Sequence, residues 1–215
     1  MFGHIGEGQP LREVAKRFLM AAWCLALASV VAFAAACGGN DGEPATPVVE
    51  EPTPTIAPFP SVDTNVPLVE FHSSGRGYTI GYPQGWKVDA SPEATGAGTD
   101  FFLWEIGTQR IAVLQVTCNR QLLSPEDLMH ADASVASQYG GSLDVNAAVP
   151  VEVAGVEGRQ NTYSLSVGGL TVEHVVAYLV HGECGWRIGL STMGPGTRDP
   201  FIPLFERILA SFQLS

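Results

Sequence analysis

The feature that most constrains this chain is a basic cluster followed by a long uncharged apolar run near the amino terminus. Arg12, Lys16 and Arg17 precede the run at residues 18–36, which ends in three alanines directly before Cys37. This is the three-part pattern of a secretory signal, with a basic segment, an apolar segment and a cleavage site of small residues. Because basic side chains cross hydrocarbon only at a high cost, the pattern predicts that the chain after Cys37 is exported.

The junction at Cys37 resembles the bacterial lipobox, in which a lipid is attached to the cysteine thiol and the signal is cleaved before it. The chain departs from that pattern at Ala34, where leucine is usual. We predict that residues 1–36 are a lipoprotein signal peptide and that lipid at Cys37 anchors the protein on the extracytoplasmic face of the cell membrane. Two alternatives stay open: the apolar run approaches the ~20 residues that span a bilayer, and an ordinary signal peptidase would release a soluble protein.

Residues 37–67 have the composition of a linker. They are rich in proline, threonine, glutamate and small residues, with too few apolar groups to offset the entropy cost of folding. We predict a disordered tether that holds the domain away from the membrane surface, since proline-rich linkers extend by about 3.1 Å per residue. The remaining residues, 68–215, suffice for one hydrophobic core and predict a single domain.

The exported part of the chain is acidic. The whole chain carries a formal net charge of −11, and three basic against two acidic residues before Cys37 contribute +1, which leaves −12 after that point. Phosphate contacts need a basic protein face, so this charge argues against nucleic acid as a partner. It also argues against electrostatic adhesion to anionic lipid, which leaves the lipid at Cys37 as the predicted contact with the membrane.

Alternating apolar residues predict a β-sheet in the folded part. Tyr78, Ile80 and Tyr82 share one strand face, and a Pro-Gln-Gly turn leads to a second strand with Trp86 and Val88, which predicts a hairpin. The same alternation predicts further strands at residues 99–106, 110–119, 144–154, 160–167, 170–180 and 186–192.

Two amphipathic helices are predicted between and after these strands. Ser124 offers an N-cap hydroxyl before Pro125, and a Gly-Gly pair at residues 140–141 ends the first helix. Its predicted apolar face consists of Leu128, Ala131, Val135 and Tyr139. The second helix closes the chain, with apolar residues at helical spacing: Leu204, Phe205, Ile208, Leu209 and Phe212.

The motif Tyr-x-Ile-x-Tyr-Pro-x-Gly-Trp at residues 78–86 and the closing helix resemble the PsbP-like fold. This family includes the photosystem II extrinsic protein and many bacterial lipoproteins, and the resemblance covers most of residues 68–215. It implies an α+β domain with a central antiparallel β-sheet and helices packed on its faces, an α/β/α sandwich, without a conserved catalytic centre. The photosystem role is not implied, because fold alone does not determine function.

Two cysteines lie in the predicted domain. By strand parity Cys118 shares a face with Val116, and Cys184 shares a face with Trp186, so both thiols are predicted to face the core. Cysteines exported to an oxidising compartment often pair, which predicts a Cys118–Cys184 disulfide that closes a long loop and contributes about 3 to 4 kcal/mol. The alternative is two buried free cysteines that act as small apolar residues.

The histidines of the domain, His72, His130, His174 and His181, are scattered along the sequence. They form no paired-histidine metal motif, and the chain has no Gly-x-Ser-x-Gly nucleophile motif. We therefore predict no metal, no cofactor and no enzyme activity, but a membrane-tethered binding or accessory module for a protein or small-ligand partner. The alternative is a secreted hydrolase with dispersed catalytic residues, which requires a pocket where one histidine contacts both a nucleophile and a carboxylate.

Overall fold

A computed structural model describes residues 59–90 and 98–215 of the chain. The predicted signal peptide, Cys37 and the tether up to residue 58 lie outside the described residues. Within them the chain forms ten strands and two α-helices. The strands are β1 (Leu68–Ser73), β2 (Tyr78–Pro83), β3 (Lys87–Ala90), β4 (Gly98–Ile106), β5 (Gln109–Asn119), β6 (Val149–Val153), β7 (Val156–Val167), β8 (Leu170–His181), β9 (Cys184–Met193) and β10 (Gln213–Leu214). The helices are α1 (Pro125–Gln138) and α2 (Ile202–Ser211), and short 3₁₀ turns occupy Val145–Ala147 and Asp199–Phe201.

The strands form two antiparallel sheets. The larger has seven strands in the order β3-β4-β5-β9-β8-β7-β6, and the smaller has three in the order β1-β2-β10. Tight turns connect β4 to β5, β6 to β7, β7 to β8 and β8 to β9. Between β7 and β8, Gly168 and Gly169 both have the positive φ that a two-residue hairpin loop favours. The predicted α+β class with an antiparallel sheet is confirmed.

One face of the larger sheet belongs to the main hydrophobic core. Buried residues of this face, among them Phe102, Leu114 and Ile188, belong to one cluster with Tyr78 of the smaller sheet and Phe205 of α2. The apolar pattern predicted for the closing helix is therefore confirmed. Alternate residues of a strand point to the same face of the sheet. Because the apolar residues occupy every second position, their side chains lie together on one side.

The helix α1 contacts strands β7, β8 and β9. The predicted N-cap is confirmed, because the Ser124 side chain accepts a hydrogen bond from the Asp127 backbone N–H at 3.0 Å. The predicted apolar face of this helix is wrong in part, since the buried residues are Leu128, Met129, Asp132 and Ala136. Asp132 can lie on this inward face because its carboxylate accepts hydrogen bonds from side chains of the sheet.

The predicted hairpin between residues 78–82 and 86–88 is wrong. Strand β2 pairs with β1 on one side and β10 on the other, whereas β3 pairs with β4 in the larger sheet. The turn between them carries the chain from one sheet to the other, with Gly85 at φ 90° and a hydrogen bond from the Trp86 N–H to the Pro83 carbonyl at 3.1 Å. Both sides of β2 are occupied, so no edge is left for β3.

Contact with the domain begins before β1. The ring of Phe59 lies 6.2 Å from that of Phe201, and Val62 and Val66 pack against the core. The sequence predicts that the tether extends to Pro67, whereas the structure has contacts with the core from Phe59 onward. These contacts form because the stretch contains apolar side chains. Farther along, the predicted strand 144–154 is shorter, because the Asp144 side chain caps the 3₁₀ turn that precedes β6.

Candidate functional site

An open cleft lies where the start of β3 and the end of β4 approach the start of α2, and we call it the aromatic cleft. It has a volume of about 170 Å³. Its walls carry three aromatic rings, those of Trp86, Trp104 and Phe201, and two exposed polar side chains, those of Asp63 and Gln84. The volume is below the roughly 300 to 1,000 Å³ of sites for drug-sized ligands, so the cleft fits one small chemical group.

Strand register positions the two tryptophans of the cleft. Lys87 lies opposite Leu103 in the antiparallel pair, which brings Trp86 opposite Trp104 on the next position along. The two indole rings are 6.3 Å apart with planes 12° from parallel. Trp104 also meets Phe201 with centroids 5.7 Å apart and planes at 64°. Both indoles are half-buried, so the cleft presents aromatic surface at a solvent-accessible site.

The outer wall of the cleft is the segment before β1, and hydrogen bonds fasten it at two points. The Arg207 guanidinium of α2 donates to the carbonyls of Thr64 and Val66, the latter at 3.2 Å. The Gln84 N–H donates to the Pro67 carbonyl at 2.8 Å. The cleft is therefore already formed before any ligand binds, which lowers the entropy cost of binding.

The chemistry of the lining favours binding. Among the described residues that line the aromatic cleft, none has a hydroxyl, thiol, imidazole or amine that could act as a nucleophile or as a base near neutral pH. Aromatic faces with a few polar groups are typical of sites that bind small molecules.

A cluster of polar side chains lies buried between α1 and the larger sheet. Oδ2 of Asp132 accepts hydrogen bonds from Tyr178 at 2.7 Å, from Arg187 Nε at 2.7 Å and from Tyr163 at 3.2 Å. Arg187 also donates to the Gln115 side chain at 2.9 Å and to the Tyr163 hydroxyl at 3.1 Å. These bonds satisfy both charges of the pair inside the protein, as burial requires.

The protonation states of this cluster follow from its burial. Burial and the Asp132 charge raise the pKa values of Tyr163 and Tyr178, so both stay neutral. Burial alone would lower the pKa of Arg187, but the negative charge of Asp132 outweighs it and raises that pKa above its usual value. The cluster is therefore a structural ion pair framed by neutral phenols.

His174 lies next to a serine, the arrangement that would suggest a nucleophile and its base. Its Nδ1 is 2.8 Å from the Ser191 hydroxyl, and its ring stacks on Tyr163 with centroids 4.5 Å apart. The two residues are only 2% and 5% exposed. Burial, assisted by the Arg187 charge, lowers the pKa of His174 to about 3. A general base works best with a pKa near the operating pH and must reach its substrate, so this pair does not fit a catalytic role.

The other three histidines considered as candidate site residues are exposed. His72, His130 and His181 lie on the surface, and none of them lines the aromatic cleft. No three histidine, cysteine, aspartate or glutamate side chains gather as a metal site within residues 59–90 and 98–215. In the same two ranges, no helix combines the length and the apolar character needed to cross a bilayer.

A second buried ion pair joins the two sheets. Arg76 donates to the carboxylate of Asp100 at 2.6 Å, and the Tyr78 hydroxyl donates to the same carboxylate at 2.5 Å. The side chains of the pair are 4% and 1% exposed. Burial, the hydrogen bond and the negative charge of Asp100 raise the pKa of Tyr78 above its usual range. The pair connects the start of β2 with β4, which is a structural role.

The predicted disulfide is confirmed. Cys118 of β5 and Cys184 of β9 are bonded, with Cα atoms 5.3 Å apart, and both lie in the main core. Cys37 lies outside the described residues, so its lipidation stays a prediction. The sequence analysis missed the pairing of Trp86 with Trp104, although the strand parity of both residues was a usable signal.

Comparisons with known proteins identify the fold. No protein-family model matches the chain, and no curated protein is significantly similar in sequence. The solution structure of cyanobacterial PsbP (CyanoP) from Synechocystis sp. PCC 6803 matches with a TM-score of 0.52 and 17% identity over 70% of this chain and 94% of that one. LpqN of Mycobacterium tuberculosis, described as involved in cell envelope biogenesis, matches at a TM-score of 0.42 and 13% identity over 69% and 90%. The first similarity establishes a PsbP-like fold, and the second is too weak to support an inference.

Proposed function

We propose that this chain, whose described domain has a PsbP-like fold, is a lipoprotein anchored through Cys37 on the extracytoplasmic face of the cell membrane. In this role the domain is a non-catalytic binding module, and residues 37–58 act as its tether. The observation that supports a binding role best is the aromatic cleft, which is preformed, partly exposed and lined by aromatic rings, with Asp63 as the charged side chain among its described lining residues. The Cys118–Cys184 disulfide agrees with export, because such bonds persist in oxidising compartments.

The proposal includes the finer architecture of the family, an α/β/α sandwich with helices on both faces of the larger sheet. Two observations support this arrangement. Asp132 of α1 bonds to Arg187, whereas Phe205 of α2 belongs to the cluster that contains Trp186 and Ile188. Because neighbouring residues of a strand point to opposite faces, the two helices are assigned to opposite sides of β9.

The alternative of a secreted hydrolase lacks a supporting site. His174 contacts a serine hydroxyl, but both groups are buried and the imidazole is held neutral and inaccessible. Among the described residues that line the accessible aromatic cleft, Asp63 is the one group able to act as a nucleophile or base, and no histidine, serine or cysteine accompanies it. A binding role therefore accounts for the accessible site better than catalysis does.

The tether is tested by lipid labelling in a bacterial host. Wild-type protein should incorporate labelled palmitate and fractionate with membranes, and Cys37→Ser should lose the label. Cys24→Ser is the matched control, because Cys24 lies in the apolar run and should not affect labelling. Wild-type protein that takes up no label, together with a Cys37→Ser variant that fractionates as wild type does, would contradict the proposed anchor.

A further inference from the structure

We propose that the aromatic cleft binds a small free organic cation with a quaternary ammonium group, of the choline type. The inference rests on the proposed binding role of the cleft and adds the chemical class of the ligand. It follows from two properties of the lining, its aromatic faces and its single charge of negative sign.

The aromatic rings of the cleft suit a soft cation. The face of an aromatic ring carries negative charge density, and a cation within about 6 Å of the ring centroid is attracted to it, most strongly by tryptophan. The centroids of Trp104 and Phe201 are 5.7 Å apart, and that of Trp86 is 6.3 Å from Trp104. These separations are those of rings in contact, so the ammonium group would lie on the cleft side of this ring cluster and not between the rings. Its methyl groups are apolar and remove indole surface from water.

The charge of the cleft is complementary to such a ligand. Asp63 is the charged residue that lines it, and its Oδ1 accepts from the Asn65 N–H at 2.9 Å, which holds the carboxylate in place. No lysine or arginine is among the described lining residues. The nearby cations are engaged elsewhere: Arg207 bonds to backbone carbonyls, and Lys87 bonds to Glu105 at 2.6 Å.

The alternative ligands fit less well. A sugar is recognised through several fixed hydrogen bonds, and the lining offers only Asp63 and Gln84 as polar side chains. An anion would meet the Asp63 carboxylate and aromatic faces of the same sign. A neutral apolar group would contact the rings but would make no electrostatic interaction with the exposed Asp63 carboxylate. The volume of about 170 Å³ suits a head group of few atoms.

A titration of the full-length protein in a non-ionic detergent tests the inference. Choline chloride is compared with 3,3-dimethylbutan-1-ol, a neutral molecule of the same shape, at constant ionic strength, with tryptophan fluorescence and calorimetry as readouts. Choline should bind saturably with a dissociation constant in the millimolar range, and the alcohol should bind at least about tenfold more weakly.

Variants locate the binding. Asp63→Asn should weaken choline binding by about fivefold or more and leave the alcohol unaffected, whereas Glu157→Gln, an exposed acidic site on β7, should change neither. Trp86→Leu keeps an apolar side chain and should abolish the preference for the cation. Equal binding of choline and the alcohol would overturn the inference while leaving a binding role for the cleft. No saturable binding of either probe would overturn the inference and count against that role as well.

Discussion

Removing the carboxylate of Asp132 should destabilise the domain strongly. The side chains of Asp132 and Arg187 are 7% and 10% exposed, and the carboxylate accepts three hydrogen bonds. In Asp132→Ala the guanidinium stays buried without a counter-charge, and breaking one partner of such a pair typically costs about 3 to 5 kcal/mol. For a domain of this size, each kcal/mol lowers the Tm by roughly 2 to 4 °C, so a fall of about 10 °C is expected.

Urea unfolding followed by circular dichroism measures this cost. Glu126→Ala, an exposed acidic change in the first turn of the same helix, is the control and should cost less than about 1 kcal/mol. The double variant Asp132→Leu with Arg187→Met removes both charges and should recover part of the loss, because apolar side chains replace a buried ion pair at little cost. The recovery is limited because the Tyr163 and Tyr178 hydroxyls lose their acceptor. Two results would contradict this expectation: a cost below about 1 kcal/mol for Asp132→Ala, or a double variant that is no more stable than the single one.

Three further predictions concern His174, the disulfide and Arg207. His174, with its pKa lowered to about 3 by burial, stays neutral in the folded state while the unfolded chain takes up a proton below about pH 6.5. The contribution of His174 to the free energy of unfolding should therefore be complete above pH 6.5, and below that pH the free energy should fall by up to about 1.4 kcal/mol per pH unit. In urea titrations at pH 7 and 5, His174→Gln should reduce this pH dependence, whereas His130→Gln, a change at an exposed site, should not. Cys118→Ser with Cys184→Ser opens a loop with a sequence separation of 66 and should cost about 4 kcal/mol, and reduction of the wild type should match it in calorimetry. Arg207→Met should increase hydrogen exchange in the segment before β1, which it fastens, with little change in global unfolding; unchanged exchange would contradict the role of those bonds.

Local patterns in the sequence predicted local structure well. Strand parity placed Cys118 and Cys184 on the core face, and helical spacing identified the buried side of α2. The N-cap at Ser124 was equally readable, because a hydroxyl before a proline has a local effect on the first helical turn. These features depend on neighbours within a few residues.

Partners distant in sequence were harder to predict. The strands β2 and β3 are adjacent in the chain but belong to different sheets, since β1 and β10 occupy both edges of β2. A charged Asp132 is tolerated on the inward face of α1 because Arg187, on β9, lies opposite it. One signal was available: Asp132 is four residues from both Leu128 and Ala136, so it occupies the apolar stripe.

The aromatic cleft was also difficult to predict, because its residues are distant from one another in the sequence. Its residues come from the segment before β1, from the turn before β3, from β4 and from the start of α2. The alternation in β4 gave the direction of Trp104, but only the register of β3 against β4 brings Trp86 beside it. A shift of one residue in that register would have moved the Trp86 side chain to the opposite face.

In the proposed function, lipid on the sulfur of Cys37 holds the domain at the membrane. The intact mass of the protein extracted from membranes tests it most directly. The predicted result is a chain that begins at Cys37 and carries the added mass of two or three acyl chains, with Cys37→Ser lacking that addition. An unmodified mature chain, or one that retains residues 1–36, would contradict the account.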